Sequence, residues 1–453
     1  MCEGVHQIWG ATGLMQQSLE KKKDIAAYEK HKEVSRKRVA AISAKGREIS
    51  PLPKVRNRRR RKKALASFKF FATTYFPETF SLPWSTDHLH VITKMEYSIV
   101  QGGLFAMAMP RGLGKTSLCE AAALWALMSG RREFVCLIGS DAGHARTMLE
   151  SIKVELETNS LLLEDFPEVV YPIHRLEGIF QRAGGQTYKG KQTWMSWSAD
   201  ELVLPTIARS RASGGIIRVA GIEARIRGMK FKRPDGRPVR PSLVILDDPQ
   251  TDESARSPQQ TTVRMATLNG AILNLAGPGQ KISAIMPCTV IYPGDMADQI
   301  LNSKLHPIWQ GERTKLVYSF PTNTVLWEEY AETRARDFGG GGDGHVATEF
   351  YIAHRDEMDA GSVVAWPELH DRDEVSALQH AMNLMYRDER MFWAEHQNEP
   401  LPQDDNLPPG FLTADAILKK TSGLERGVCP IGTTHLSAFI DVQGRLLYWM
   451  VCA

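Results

Sequence analysis

One short stretch constrains the fold of this chain more than any other. Residues 109–116 read MPRGLGKT, between an apolar run at 104–109 and an Ala/Leu-rich helical segment at 116–128. A buried strand, a glycine-rich turn and a helix in that order are typical of a phosphate-binding loop, in which backbone N–H groups and the helix N-terminus face the anion. The strict pattern has glycine at position 109, where this chain has methionine. The stretch predicts a nucleotide-binding site within an α/β fold.

The roles within the loop follow from side-chain chemistry. Lys115 is expected to contact the phosphates of ATP, and the Thr116 hydroxyl is expected to bind Mg²⁺. Arg111 has two interpretations: a charge clamp on the γ-phosphate, or a surface arginine paired with an acid. The loop backbone would aim it at the nucleotide, which favours the clamp. The expected nucleotide-binding residues are Pro110, Arg111, Gly112, Leu113, Gly114, Lys115, Thr116 and Ser117.

A second motif supplies the acids that such a loop needs. Residues 243–248 read LVILDD, which is an apolar strand ending in two carboxylates. In nucleotide hydrolases with this loop, the first acid at such a strand end orients Mg²⁺, so Asp247 is the predicted metal residue. Asp248, one residue later, is predicted to polarise the attacking water. Acidic strand ends also occur as simple caps, but the co-occurrence with a phosphate loop favours function.

Further short apolar runs alternate with helical segments. The predicted strands include 134–139, 216–221, 282–286 and 315–320, and helices are expected at 87–100 and 142–157. Such alternation predicts an open, mostly parallel sheet flanked by helices. Beyond residue 330, a glycine-rich loop at 338–344 and a mostly helical stretch at 366–397 are expected. A linker at 403–410 and a hairpin of strands at 436–442 and 445–451 then follow.

Charge is distributed unevenly along the chain. Residues 1–63 contain 18 Lys and Arg against 6 Asp and Glu, although the whole chain has a net charge of only +4. A solvated helix is expected within 18–44, and 54–63 (KVRNRRRRKK) is a basic cluster. Such a cluster is either a disordered tail or a contact for phosphates or an acidic partner. The predicted domains are an arm (1–63), a P-loop ATPase (64–330), a helical linker subdomain (331–433) and a last segment (434–453).

Composition excludes several classes of protein. No run approaches the ~18 apolar residues of a membrane-spanning helix, and no basic stretch followed by an apolar one marks a secretory signal. The six cysteines form no CxxC pair, which argues against a zinc ribbon or a disulfide framework and favours a reducing cytoplasm.

Taken in order, these motifs resemble the large subunit of the tailed-bacteriophage terminases, which are DNA-packaging motors. The resemblance covers about residues 80–453. It includes the loop PRGLGKT, the stretch GIEARIRG before LVILDDPQ, and CTVI at 288–291 followed by Asp295 and Asp298. It continues through segments at 326–330, 350–351, 358–361, 366–367, 395–400 (EHQNEP) and 439–441 (FID).

The resemblance implies a fold and further site residues. The fold would be a P-loop NTPase of the additional-strand, catalytic-acid type. Thr289 would sense hydrolysis and couple it to motion, and Asp248 stands where the family usually has a longer glutamate. Arg227 would be an arginine finger that reaches a neighbouring subunit, or else a structural ion-pair partner. Asp441 would be the first metal carboxylate of an RNase H-like nuclease.

One aspartate cannot hold the two metal ions of such a nuclease. Since the chain stops at Ala453, endonuclease activity is not expected, and residues 434–453 are expected to be poorly packed or to cover the ATPase surface.

The implied activity is ATP hydrolysis, with Mg²⁺, that drives double-stranded DNA into a procapsid. The implied partners are double-stranded DNA, the portal protein, the small terminase subunit and further copies of the chain in a ring, with no membrane. The implied location is the bacterial host cytoplasm, at the procapsid portal. The basic stretch 230–240 is either a DNA contact or a solvated loop. Two alternatives stay open: a helicase-like nucleic-acid-dependent P-loop ATPase, and a non-catalytic prophage remnant that binds DNA or capsid.

Overall fold

The computed structural model describes residues 28–39, 48–224, 226–402, 419, 423–424, 428–442 and 447–452. The chain divides into two compact units, Met1–Leu401 and Pro402–Ala453. Among the described residues, no helix has the length and apolarity needed to cross a membrane. The linker expected at 403–410 lies outside the described residues. Of the helix expected within 18–44, the structure describes 28–39, which is helical.

The strands and helices alternate through most of the first unit. The strands are β1 (Leu104–Ala108), β2 (Phe134–Gly139), β3 (Thr187–Tyr188), β4 (Lys191–Gln192), β5 (Ser196–Trp197), β6 (Glu201–Val203), β7 (Ile216–Gly221), β8 (Phe231–Lys232), β9 (Pro238–Val239), β10 (Leu243–Asp247), β11 (Ser283–Cys288), β12 (Trp309–Arg313), β13 (Val317–Ser319) and β14 (Val363–Val364). The second unit contains β15 (Ser437–Val442) and β16 (Leu447–Cys452).

The helices include α1 (28–39), α2 (Arg58–Ala66), α3 (Phe68–Tyr75), α4 (Thr86–Val100), α5 (Lys115–Met128), α6 (Ala142–Thr158), α7 (Ser160–Asp165), α8 (Pro167–His174), α9 (Asp252–Ala255), α10 (Pro258–Gly270) and α11 (Met296–Leu301). Those after the sheet are α12 (Thr324–Gly339), α13 (His345–Ala353), α14 (Arg355–Asp359), α15 (Ala377–Arg387) and α16 (Glu389–Met391), followed by a π-helical turn at Phe392–His396.

The first unit is built on an eight-stranded sheet in the order β12-β1-β11-β10-β2-β7-β6-β5. The neighbours from β12 to β7 pair in parallel, and β6 and β5 extend the edge in antiparallel. Every residue of β2 and β10 is buried, as expected where helices cover both faces of a parallel sheet. The prediction of an α/β fold with a mostly parallel sheet flanked by helices is confirmed.

The two faces of the sheet pack into separate cores. Along β1, Phe105 and Met107 join the cluster that contains α5 and α6, whereas Ala106 and Ala108 join the cluster with α10 and α11. This division follows from the alternation of side chains along a strand. The helical region after the sheet has a third core, centred on Trp327, Tyr330 and Tyr351. The predicted boundary after residue 330 falls inside α12.

Three sequence-based assignments were wrong in detail. The strand predicted at 315–320 is not in the main sheet: β13 pairs with β14, and the sheet edge is β12. The sequence of β12, WQGER, lacks the apolar run by which the buried strands were recognised. The helical stretch expected at 366–397 begins only at Ala377, and the glycine-rich loop expected from 338 begins after Gly339, where α12 ends.

The basic cluster at 54–63 is folded, which excludes the disordered-tail interpretation for these residues. Asn57 caps α2, and Arg60 of that helix donates to the fully buried Asp165 (Nε–Oδ2 2.5 Å). Arg61 pairs with Glu168, and Ile49, upstream, is 2% exposed. Part of the cluster therefore docks onto acids of its own chain, at α7 and α8.

The second unit contains a two-stranded hairpin, in which β15 and β16 pair in antiparallel. Large apolar side chains on it are exposed, among them Phe439 (66%) and Ile440 (61%). Asp441 lies in β15 opposite Tyr448, and its metal-binding role stays a prediction.

Candidate nucleotide-binding site

The glycine-rich loop connects β1 to α5 at the carboxyl edge of the sheet. Gly112 (φ 85°) and Gly114 (φ 73°, the N-cap of α5) adopt left-handed conformations that cost glycine little. Met109, where the strict pattern has glycine, is fully buried in the core on the α5 face. The departure from the pattern therefore affects a core residue at the end of the strand. The turn itself still contains Gly112 and Gly114.

Lys115 and Thr116 begin α5, and each contacts a neighbouring strand end. The Lys115 ammonium donates to the Met109 carbonyl (2.9 Å) and to the Thr289 hydroxyl (2.6 Å), and the residue is 8% exposed. The Thr116 hydroxyl donates to Asp247 Oδ2 (2.9 Å). The structure thus brings together four of the predicted residues, from the start of α5, the end of β10 and the residue after β11.

Asp247 is fully buried at the end of β10, and its Oδ1 has no hydrogen-bond partner among the described residues. An unsatisfied buried carboxylate oxygen costs free energy, so an orphan of this kind in a native structure requires an explanation. Mg²⁺ prefers oxygen ligands and usually takes only one or two from carboxylates, with waters and phosphates supplying the rest. Thr116 and Asp247 fit that donor set.

Asp248 follows at the strand end in a left-handed conformation (φ 37°), which is unfavourable for a residue with a side chain. Its amide donates to the Pro287 carbonyl of β11 (3.0 Å), which holds the turn. Burial raises the pKa of the Asp248 carboxyl, the Lys115 charge opposes that rise, and the Asp247 charge adds to it. A carboxyl group with a raised pKa in such a position is suited to proton transfer.

Thr289 lies next to both the lysine and the second acid. It directly follows β11, its hydroxyl accepts from Lys115 (2.6 Å), and its side chain lowers the pKa of Asp248. A change at the lysine is therefore one hydrogen bond from Thr289.

His144 is a site residue that no sequence motif marks. Its Nε2 lies 3.3 Å from Asp247 Oδ2, and this hydrogen bond raises the pKa of the imidazole. A Cβ at Gly139 would lie 3.0 Å from the His144 Cβ, so a glycine there allows the start of α6 to approach the strand. Only the strand order could have revealed this residue, since β2 lies next to β10 in the sheet and far from it in sequence.

Arg111 lies at the outer side of the loop and is 70% exposed along its side chain. Its Nη1 donates to Glu395 Oε2 (2.6 Å), and its amide donates to the Glu395 carbonyl (2.9 Å). The hydrogen bond to Glu395 is the main reason that the pKa of Arg111 is raised. The structure therefore shows the ion pair that the sequence left as the other interpretation of this arginine.

The segment around Glu395 is attached to the site at a second point. Asn398 is fully buried, accepts from the Val290 amide (3.1 Å) and donates to the Thr314 carbonyl (3.0 Å). Val290 directly follows Thr289 in the chain. Residues 395–398 thus contact both the phosphate loop and the turn after β11.

Three further residues singled out by the sequence have other surroundings. Arg227 is exposed, and no hydrogen bond or ion pair joins it to another described residue. Asp295 is buried but serves as the N-cap of α11, accepting from the Asp298 amide (2.8 Å). Ser117 lines a cavity of about 470 Å³ between α5 and α6, together with Glu120.

A second group of potential metal ligands lies in the helical region. Ligand atoms of Asp371, Glu374 and His380 lie within 4.8 Å of one another. However, His380 already pairs with Glu374 (2.6 Å), which also accepts from Asn383 (2.8 Å). The geometry is that of a satisfied ion pair, unlike the orphaned oxygen of Asp247.

Comparisons with known proteins do not assign a function, so the assignment depends on the geometry of the site. No protein-family model matches the chain, and no curated protein matches it either.

Proposed function

We propose that this chain is a Mg²⁺-dependent ATPase, the motor subunit of a viral terminase that moves double-stranded DNA into a procapsid. The observation that carries the proposal is the convergence of Lys115, Thr116, Asp247, Asp248 and Thr289 at the carboxyl edge of three adjacent strands. The order β1-β11-β10 supports the additional-strand type of P-loop fold, since β11 separates the loop strand from the acid strand. The terminase assignment rests on the ordered motifs of the sequence.

The chain's own residues would divide the reaction between them. The loop amides and Lys115 would hold the β- and γ-phosphates, and Thr116 and Asp247 would hold Mg²⁺. The bound ion would neutralise charge that develops on the phosphate oxygens. Asp248 would orient the attacking water and accept its proton, and Thr289 would register the loss of the γ-phosphate through Lys115. Catalysis would thus consist mainly of positioning and charge stabilisation.

The remaining parts of the proposal follow the same resemblance. Arg227 has no described partner in its own chain, which suits a finger offered to a neighbouring copy in a ring. The portal protein and the small terminase subunit would be further partners, at the procapsid in the host cytoplasm. A helicase-like ATPase would use the same site, whereas a non-catalytic remnant would not turn over ATP.

The test is steady-state ATP hydrolysis by the whole chain, with and without duplex DNA. We expect turnover that DNA stimulates and that Lys115→Ala and Asp247→Asn each lower at least 100-fold, because each removes charge stabilisation made in the transition state. Lys304→Gln, an exposed lysine far from the loop in sequence, is the control.

Absence of both ATP binding and turnover in the wild type would overturn the proposal. Turnover without any response to DNA, but intact dependence on Lys115, would retain the ATPase and reject the motor.

A further inference from the structure

A strongly basic groove lies beside α2, away from the residues of the phosphate loop. It has a volume of about 580 Å³, and its charged lining consists of Arg58, Arg61, Lys62, Arg131 and Arg211, with no acidic residue among its lining residues. The cations come from three separate parts of the chain: α2, the turn after α5 and the turn before β7. The fold therefore assembles a positive surface that no single sequence run contains.

Most of this charge is uncompensated. Arg61 pairs with Glu168, but no ion pair joins Arg58, Lys62, Arg131 or Arg211 to a described residue. The Arg131 guanidinium lies 5.1 Å from the centroid of the Trp125 ring, so it is held in place by a cation–π contact instead. Arg58, Lys62, Arg131 and Arg211 are all exposed and free to meet a ligand.

Stability does not account for this arrangement. The first turn of α2 contains Arg58, Arg59, Arg60 and Arg61 and no acid, although cations at a helix N-terminus oppose the helix dipole. Arg60 and Arg61 are offset by the acids of α7 and α8, which fix the helix to the body of the unit. Positions 58, 61, 62 and 65 share one face by helical spacing, and that face lines the groove.

We propose that this groove binds the sugar–phosphate backbone of duplex DNA. Guanidinium groups match phosphate oxygens in two-pronged hydrogen bonds, and a duplex presents one charge per ~1.7 Å of axis, so several cations in one groove can be neutralised together. Contacts of this kind are independent of sequence and depend steeply on salt. The choice of DNA as the polyanion rests on the proposed function, whereas the charge of the groove does not.

The test compares two variants of the full chain with equal charge changes. The groove variant combines Arg58→Gln, Lys62→Gln and Arg211→Gln, and it leaves Arg131 on Trp125. The control combines Lys281→Gln, Lys304→Gln and Arg336→Gln, which are exposed cations outside the groove. Binding of a fluorescent 30-base-pair duplex is measured by anisotropy across salt concentrations, without nucleotide.

We expect the groove variant to lose at least tenfold in affinity and the slope of log affinity against log salt to fall by about 2 to 3, one for each phosphate contact removed. The control should bind like the wild type. A charge-preserving variant, Arg58→Lys with Arg211→Lys, should retain most of the binding and shows whether loss reflects misfolding.

Equal losses in the groove variant and the control, or no loss in either, would overturn the proposal, as would a wild type that does not bind duplex DNA at low salt. Groove-dependent binding of poly-L-glutamate without binding of DNA would assign the surface to an acidic protein and also overturn it.

The readouts separate this proposal from the proposed function. The groove variant should keep basal ATP hydrolysis and lose its stimulation by DNA, whereas Lys115→Ala should keep DNA binding. Groove-dependent DNA binding with no turnover in any protein would sustain the groove and reject the ATPase.

Discussion

At the scale of single residues, burial of charge beneath the phosphate loop is the dominant feature. Asp247 and Asp248 lie side by side, with Lys115 as the nearby cation that lowers the pKa of Asp248. The Asp247 charge raises the pKa of the neighbouring Asp248 carboxyl, and the Asp247 oxygen without a hydrogen-bond partner among the described residues adds to the cost in free energy. If Mg²⁺ and ATP bind here as proposed, the free energy of unfolding should rise on their addition.

Glu120 of α5 provides the clearest pH dependence. Burial raises the pKa of its carboxyl from 4.5 to about 7, a hydrogen bond with Ser151 opposes the rise, and the Asp247 charge adds to it. At pH values between these two pKa values, the Glu120 carboxyl is therefore protonated in the folded chain and ionised in the unfolded chain. The contribution of the protonated carboxyl to the free energy of unfolding is fully present below pH 4.5 and is lost as the pH rises through about 7.

We expect Glu120→Gln to raise the free energy of unfolding by about 1–2 kcal/mol at pH 8 and to change it little at pH 4.5, because the amide never ionises. Urea unfolding at the two pH values measures this difference. Glu329→Gln, on the exposed face of α12, is the matched control and should show no pH-dependent gain. A loss of stability at pH 8 would mean that Glu120 is paired as a carboxylate.

Sequence spacing predicted the residues that meet through neighbouring strand ends. The sequence predicts Lys115 and Thr116 beside Asp247 because the phosphate loop and the acidic strand end both follow parallel strands. The carboxyl ends of parallel strands lie at the same edge of the sheet. The sequence does not identify the partner of Arg111, since Glu395 lies 284 positions away, in a π-helical turn. His144 was missed because only strand order places it beside Asp247.

At the scale of helices and strands, the docking of α2 depends on one buried acid. Asp165 is fully buried at the end of α7 and accepts from Arg60 Nε (2.5 Å), the Tyr75 hydroxyl (2.7 Å) and the Asn57 amide (3.1 Å). These contacts hold α2 and α3 to α7. The basic run at 54–63 resembled a tail in sequence because its acidic partners lie about a hundred residues further along the chain.

We expect Arg60→Met to lower the free energy of unfolding by about 2–4 kcal/mol, because it leaves the Asp165 carboxylate buried without its cation. Chemical denaturation measures the loss. Arg59→Met, at the exposed neighbouring position of the same helix, should change stability by less than about 0.5 kcal/mol.

Combining Arg60→Met with Asp165→Asn should restore part of the stability, since it also removes the buried charge. Equal effects at positions 59 and 60 would show that α2 is not held by this pair.

The strands themselves illustrate what periodicity can detect. β2 and β10 were predicted because both are continuous apolar runs buried on two faces. β12 was missed because three of its five residues are polar or charged and its first residue alone is fully buried. It joins the sheet through its backbone register with β1, which a hydrophobic pattern does not encode.

At the scale of the whole first unit, residues 395–398 connect the helical region to the site. Glu395 contacts the phosphate loop, Asn398 contacts the turn after β11, and Gln397 donates to the Val317 carbonyl (2.9 Å). In the proposed function, a movement of the loop or of Thr289 on hydrolysis would change the contacts of this segment. The segment also holds Arg111 in an ion pair with Glu395, which would compete with a contact between Arg111 and the proposed γ-phosphate.

We expect Glu395→Gln to tighten ATP binding about 2- to 5-fold, because an ion pair with an exposed arginine is worth up to ~1 kcal/mol and nucleotide no longer competes with it. Equilibrium titration with a slowly hydrolysed ATP analogue measures the change, and thermal unfolding should shift little. Arg111→Ala should weaken binding, and adding Glu395→Gln to it should have no further effect, since the pair is already absent. If Glu395→Gln instead weakens binding as much as Arg111→Ala does, Glu395 positions the arginine for the nucleotide, and the segment acts as a support for the loop without competing with ATP.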